Sequence, residues 1–232
     1  MGDRVLVVAP HPDDEAIGCG GQLLRHTQAG GRVQAVFLTS GERGLPELPA
    51  EQVWRIREAE ARRAARVLGL ERLSFLRLPD GEVRTVLDEG SRGLSVLLEQ
   101  SFPTIIYLPH PADHHPDHLA TLPLVRRALE RWKERSDWPR LLGYEVWTPM
   151  GRWNRIEDVT PFMARKLQAI RCYPSQLRFF RYDHAVRGLN RHRGIMAGHS
   201  RYGEAYVKLP AEEPMVMREE QTGESVSAVM QS

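Results

Sequence analysis

The sequence predicts a single α/β domain with a Rossmann-like, mostly parallel sheet flanked by helices. Two observations carry this. Short apolar runs alternate with helical segments from one end of the chain to the other, the pattern of βαβ units. The first run, RVLVVA, is apolar on both of its faces, as a strand covered by helices on either side must be. The chain has 232 residues, enough for one such domain with a full core.

In order, residues 4–9 form the first strand, followed by a Gly-containing turn. A helix over 20–28 has apolar residues at helical spacing and is closed by Gly30-Gly31. Residues 33–38 (VQAVFL) give a second strand, and 49–68 a long helix with Ala and Leu on one stripe, stopped by Gly69. Strands over 73–78 and 104–108 are separated by a helix over 91–100. Helix 118–131 and strand 142–148 follow. Beyond Met150 the pattern is less regular, with helices over 164–173 and 182–197 and a last strand over 204–209. The division expected is therefore a domain over 1–210 and a polar, poorly ordered tail over 211–232, where periodicity stops.

Composition removes several classes of function. Apolar residues are 41% and charged residues 27%, ordinary for a globular protein. A net charge of +2 from 32 basic and 30 acidic residues implies no polyanion partner, so nucleic acid is not expected. The arginines at 55, 57, 62, 63 and 66 read as a solvated helix face. No run has the ~20 apolar residues of a membrane span, and the N-terminal run is too short for a signal peptide. The two cysteines, Cys19 and Cys172, suit a reducing compartment, so the expected location is cytoplasmic.

Two segments concentrate the chemistry. His11-Pro12-Asp13-Asp14-Glu15 follows the first strand, where open α/β sheets bind ligands. His11 and Asp14, three apart, fall on one side of a turn and suit zinc or a similar divalent ion. Asp13 points elsewhere and is free for another task, although the two aspartates can exchange roles on sequence grounds. The second segment, from His110 to His118, puts four histidines and two aspartates into nine residues after the strand TIIYLP. Pro116 suits a first helical turn, which places His115 near an N-cap and His118 just inside. Either segment alone could be helix capping. Together, each at a strand end, they indicate a metal site. Gly18-Cys19-Gly20-Gly21 lacks the spacing of a dinucleotide loop. Glu15 reads as a first-turn complement to the helix dipole or as a support behind the ligands.

These motifs, spaced about a hundred residues apart, resemble the PIG-L/LmbE-like N-acetyl-sugar deacetylases. The resemblance extends to Arg57-x-x-Glu60, Pro79-Asp80-Gly81, Tyr144-Glu145-Val146-Trp147, Tyr173-Pro174-Ser175-Gln176 and Tyr202-Gly203-Glu204-Ala205-Tyr206. It implies a zinc-dependent N-deacetylase, with another divalent ion as the alternative. His11, Asp14 and His118 would be the metal ligands and Asp13 the general base. His115 would stabilise the oxyanion as an imidazolium with its ring held by Asp117, and Arg57 would contact sugar hydroxyls. The run from Asp113 to His118 is most similar to the bacillithiol-pathway branch, which acts on N-acetylglucosaminyl-malate. Where one branch has a tyrosine two residues before the histidine at 115, this chain has Asp113. A homotrimer or homohexamer is also implied. The competing readings are another metal hydrolase, such as a phosphoesterase, and a metal- or sugar-binding module without catalysis.

Overall fold

The computed structural model describes residues 2–132 and 138–211. Strand β1 (Arg4–Ala9) leads to α1 (Asp14–Gln28), β2 (Arg32–Phe37), α2 (Ala50–Leu68), β3 (Arg72–Phe75), α3 (Leu87–Ser101), β4 (Ile105–Pro109) and α4 (Pro116–Glu130). After these come β5 (Arg140–Tyr144), β6 (Arg155–Asp158), α5 (Met163–Ile170), α6 (Pro174–Leu177), α7 (Tyr182–Arg193) and β7 (Gly203–Leu209). The sheet has seven strands in the order β3-β2-β1-β4-β5-β7-β6. The first five in that order are parallel, β7 is antiparallel to β5, and β6 is antiparallel to β7.

Alternate residues of β1 enter two cores, which explains its unbroken apolar sequence. Val5, Val7 and Ala9 pack with α1, α2 and α5, whereas Leu6 and Val8 pack with α3 and α4. No described helix is long and apolar enough to cross a membrane.

Three boundaries differ from the sequence expectation for physical reasons. Helix α1 begins at Asp14, before the expected turn, and runs straight through the glycines. A Cβ at Gly18 would lie 2.1 Å from the Tyr144 ring, and one at Gly21 2.5 Å from Val159. The glycines therefore serve close packing of the helix rather than a bend. The third strand stops at Phe75, because Arg77 takes a positive φ of 54° and turns the chain out of the sheet. The fifth stops at Tyr144, which releases Trp147 into a loop. Strand β6, of sequence RIED, was not expected, since four mostly charged residues give no apolar signal. Past Ala211, the expected tail lies outside the described residues.

Candidate functional site

Strands β1 and β4 are hydrogen-bonded neighbours, and the chain proceeds outward from them in opposite directions. Their carboxyl ends therefore open a crevice at the centre of the sheet edge. The loop after β1 supplies His11 and Asp13, and Asp14 opens α1. The loop after β4 ends at His115, the N-cap of α4, with Pro116 as the first helical residue and His118 in the first turn. The rings of His11, His115 and His118 gather with centroids 4.7, 5.0 and 5.5 Å apart.

Asp14 Oδ2 lies 3.3 Å from His11 Nδ1 and 3.2 Å from His118 Nε2. Ligand atoms around a tetrahedral ion with zinc-like bond lengths are separated by about 3.3 Å. The outer ring nitrogens also meet carboxylates, with His11 Nε2 3.0 Å from Asp117 Oδ2 and His118 Nδ1 3.4 Å from Asp113 Oδ2. A carboxylate behind each histidine is the usual way of aiming imidazoles at a metal. Both ring nitrogens of His118 are fully buried without a well-directed hydrogen bond, so the donor set fits a divalent ion between Asp14 and the two histidines. His11, His115 and His118 form a second compact grouping, and His11, Asp80 and Asp117 a third. Both leave out Asp14, whose oxygen contacts two histidines at once, and the third uses the His11 nitrogen that already faces two carboxylates.

The electrostatics agree. Burial disfavours a charged imidazole, yet the carboxylates of Asp117, Asp14 and Asp80 push His11 well above its ordinary value. His118 is likewise raised, to about 9, by Asp14 and Asp113 against its burial. Asp14 is held far below the carboxylate range by the two histidines despite its burial. A field that favours protonated histidines in an apolar interior is one that favours a cation.

His115 and Asp117 do not pair as expected. Asp117 Oδ2 faces His11 and accepts the Gly81 N–H (2.7 Å), and Oδ1 accepts the Val83 N–H (3.1 Å). Its link to His115 runs the other way, because the Asp117 backbone N–H donates to His115 Nδ1 at 3.2 Å as a helix N-cap. Nδ1 is thereby an acceptor, which leaves the ring proton on Nε2. Burial and the neighbouring His11 and His118 lower the His115 pKa. His115 Nδ1 thus faces the helix N-terminus and the Asp117 carboxylate faces His11, so the two side chains do not form the pair that the resemblance implies.

Asp13 sits at φ 122°, a conformation L-residues rarely adopt, and such strain concentrates at functional positions. It is held there by its own N–H donating to Glu15 Oε2 (3.1 Å) and by Arg57 Nη2, 3.2 Å from its Oδ2. Burial pushes the Asp13 carboxyl up to about 7 against the pull of Arg57. Glu15, which also accepts the Tyr173 hydroxyl at 2.6 Å, is raised to about 8 by burial. Arg57, expected on sugar hydroxyls, is 3% exposed and is engaged by Asp13 and the Pro12 carbonyl, although it still lines the cavity.

That cavity, of about 190 Å³, is lined by His11, Asp13, Arg57 and His115 together with Arg43, Asp80, Gln176, Trp147 and Tyr182. Sequence reasoning gave Asp80 and Asp113 no role. Asp80 Oδ1 lies 3.2 Å from His11 Nε2, and Asp113 braces His118 while accepting the Trp147 N–H at 3.2 Å. The Pro-Asp-Gly turn marked Asp80, but nothing in its local spacing pointed it at His11. Three arginines of the segment 181–193 are engaged by other groups of the chain. Arg181 binds Asp183, Arg187 donates to the Tyr202 hydroxyl, and Arg193 is buried on Glu145 and the Met150 carbonyl.

Comparison with known proteins identifies the family. The family model described as PIG-L, GlcNAc-PI de-N-acetylase, matches residues 6–129. A Bacillus anthracis relative described as a probable N-acetyl-alpha-D-glucosaminyl L-malate deacetylase is 30% identical, over 75% of this chain and 81% of its own. The diacetylchitobiose deacetylase of Thermococcus kodakarensis is 28% identical over 89% of this chain and 83% of its own. The crystal structure of a conserved protein from Thermus thermophilus superposes with a TM-score of 0.79 at 30% identity, covering 90% of this chain and 95% of that one. The matched stretch exceeds half the chain and includes every charged residue of the cluster, and the chain belongs to the PIG-L family of GlcNAc-PI de-N-acetylases.

Proposed function

We propose that this chain is a zinc-dependent amidohydrolase that removes acetate from an N-acetylglucosamine-type sugar conjugate. The observation that carries the reading is the meeting of Asp14 with His11 and His118, each backed by a carboxylate, beside a strained, buried Asp13. His11, Asp14 and His118 would hold the ion, with another divalent metal as the alternative to zinc. When bound, such an ion supplies Lewis-acid polarisation and a more acidic water.

The side chains of this protein supply the remaining steps. Asp13, fixed by Arg57, accepts a proton from the attacking water and returns it to the departing amine. His115 presents its Nε2–H to the carbonyl oxygen as that atom gains charge, a donor effect of about 3–4 kcal/mol. Asp117 and Asp113 aim His11 and His118. Arg43, Asp80 and Gln176 line the part of the cavity where sugar hydroxyls would lie. Amide and water become free amine and acetate, in balance.

The malate conjugate suggested by the second motif needs a cationic partner for its carboxylates. Arg181, Arg187 and Arg193 are engaged by Asp183, Tyr202 and Glu145, so the proposal stops at the acetylated amino sugar. The free thiols of Cys19 and Cys172 support a reducing, cytoplasmic setting. The test is a panel of N-acetylglucosaminyl-malate, an N-acetylglucosaminyl-inositol, diacetylchitobiose and an aryl phosphate, incubated with zinc-loaded protein. Free amine from at least one sugar is the expected result. Phosphate release without amine would transfer the chain to the phosphoesterase reading, and bound zinc with neither product to a binding module.

A further inference from the structure

A second cavity, of about 410 Å³, adjoins the catalytic one, and the two share Trp147 and Tyr182 as walls. Those two rings meet edge to face with centroids 5.5 Å apart, so the partition between the cavities is one aromatic pair. The catalytic cavity alone, about 190 Å³, falls below the roughly 300–1,000 Å³ of ordinary small-molecule sites, whereas its neighbour lies within that range. A substrate larger than one sugar ring therefore has an adjoining space to extend into.

The neighbouring space is apolar. Ile17, Val146, Pro149, Val186, Leu189 and Ala205 line it. Several polar groups at its border are already engaged. Asn190 Oδ1 accepts from Lys166 Nζ at 2.9 Å, and Glu145 Oε1 accepts the Met150 N–H at 2.6 Å while its carboxylate pairs with Arg193. Arg181, at the rim, forks onto Asp183 with bonds of 3.0 and 3.1 Å. Against the aliphatic wall a carboxylate or polyol would lose water and gain no partner, whereas an alkyl or aryl group would lose only its hydration.

We propose that this cavity is the aglycone subsite and that it takes an apolar aglycone, an alkyl or aryl group carried by the acetylated amino sugar. This rests on the deacetylase reading, because the acyl group that leaves is then acetate and an apolar substituent of useful size has to be on the glycosidic side. Phe180, 62% exposed at the rim, extends the apolar path outward.

The test compares amine release from the methyl, hexyl and phenyl glycosides of N-acetylglucosamine by the full-length, zinc-loaded protein, with calorimetric titration of the methyl and hexyl glycosides alongside. KM for the hexyl and phenyl compounds is expected to be about tenfold below that of the methyl glycoside, with a matching difference in Kd. Ala185→Glu, at an exposed position on the cavity rim, should abolish that preference and leave turnover of the methyl glycoside unchanged. Leu189→Gln, deeper in the lining, is the second variant and guards against a misfolded first one. Equal KM and Kd across the three glycosides would overturn the proposal. A preference that survives both substitutions would also overturn it, including the case where Ala185→Glu changes only the oligomeric mass because a second copy covers the cavity. A gain for N-hexanoyl in place of N-acetyl, without a gain for the hexyl glycoside, would put an acyl chain there and equally sink the aglycone assignment. Absence of amine from every sugar would refute the deacetylase reading alone, with the titration still deciding what the cavity binds.

Discussion

Residues 4–130 and residues 140–211 complete one sheet, yet they finish their strands in different ways. In the first region β1, β2, β3 and β4 run parallel, so four consecutive strand ends open on the same edge. The segments after them deliver His11 to Asp14, then Arg43, then Asp80, then Asp113 to His118. In the second region β7 and β6 turn antiparallel, and what reaches the cavity is Trp147, Gln176 and Tyr182. Charge comes from the parallel half and shape from the other. The difference teaches that the wall can change without displacing the chemistry, and the family match over 6–129 coincides with the charged half.

The comparison can be broken most sharply at Asp13 and Asp14. Asp14→Ala should lose both bound divalent ion, measured by elemental analysis, and all turnover. Asp13→Asn should keep the ion and lose turnover by about 10²–10⁴-fold. An ion-free Asp13→Asn protein would mean that the two aspartates exchange roles. In the other half, Lys166 and Glu204 form a fully buried ion pair of 2.7 Å, and Glu204 also accepts the Gly21 and Gln22 N–H groups of α1. Glu204→Gln leaves Lys166 buried without its counter-charge, a cost of about 3–5 kcal/mol in denaturant unfolding. Residual activity per folded molecule should stay near wild type, and a loss of kcat instead would dissolve the division of labour. His115→Ala should slow turnover by about 10²–10³-fold with ion content unchanged. The smallest effect is expected for Asp117→Asn, where weaker aiming of His11 should reduce ion affinity by about 10–100-fold in competition with a chelator. Unchanged affinity would return Asp117 to the side of His115.

Much of the charged half was legible in the sequence because its residues are contiguous and each cluster follows a strand too apolar to be anything but buried. His11, Asp13, Asp14, His115 and His118 all meet where that reading places them. Which way a carboxylate points was not legible. Asp117 lies two residues from His115 but serves His11, because His115 turns its Nδ1 onto the helix N-terminus and Gly81 and Val83 draw the Asp117 oxygens away. Asp80 owes its position to the turn that begins at Arg77, a backbone event without a side-chain signature. The start of α1 was hidden for the opposite reason. Gly18 and Gly21 look like a loop in one dimension, yet they are spaces reserved for Tyr144 and Val159 in three.

Asp113 joins the two halves. One of its oxygens touches His118 and also accepts the N–H groups of Trp147 and Thr148, at 3.2 and 3.4 Å, so the histidine proposed as a ligand and the aromatic wall share one anchor. Linkage makes such sharing reciprocal. Whatever free energy a metal ion contributes to fixing the Trp147 loop, an occupant that fixes that loop returns to the metal. Affinity at the proposed metal site is then a property of the whole liganded state rather than a constant of three side chains, and a chelator would compete less effectively for an ion beside a filled cavity.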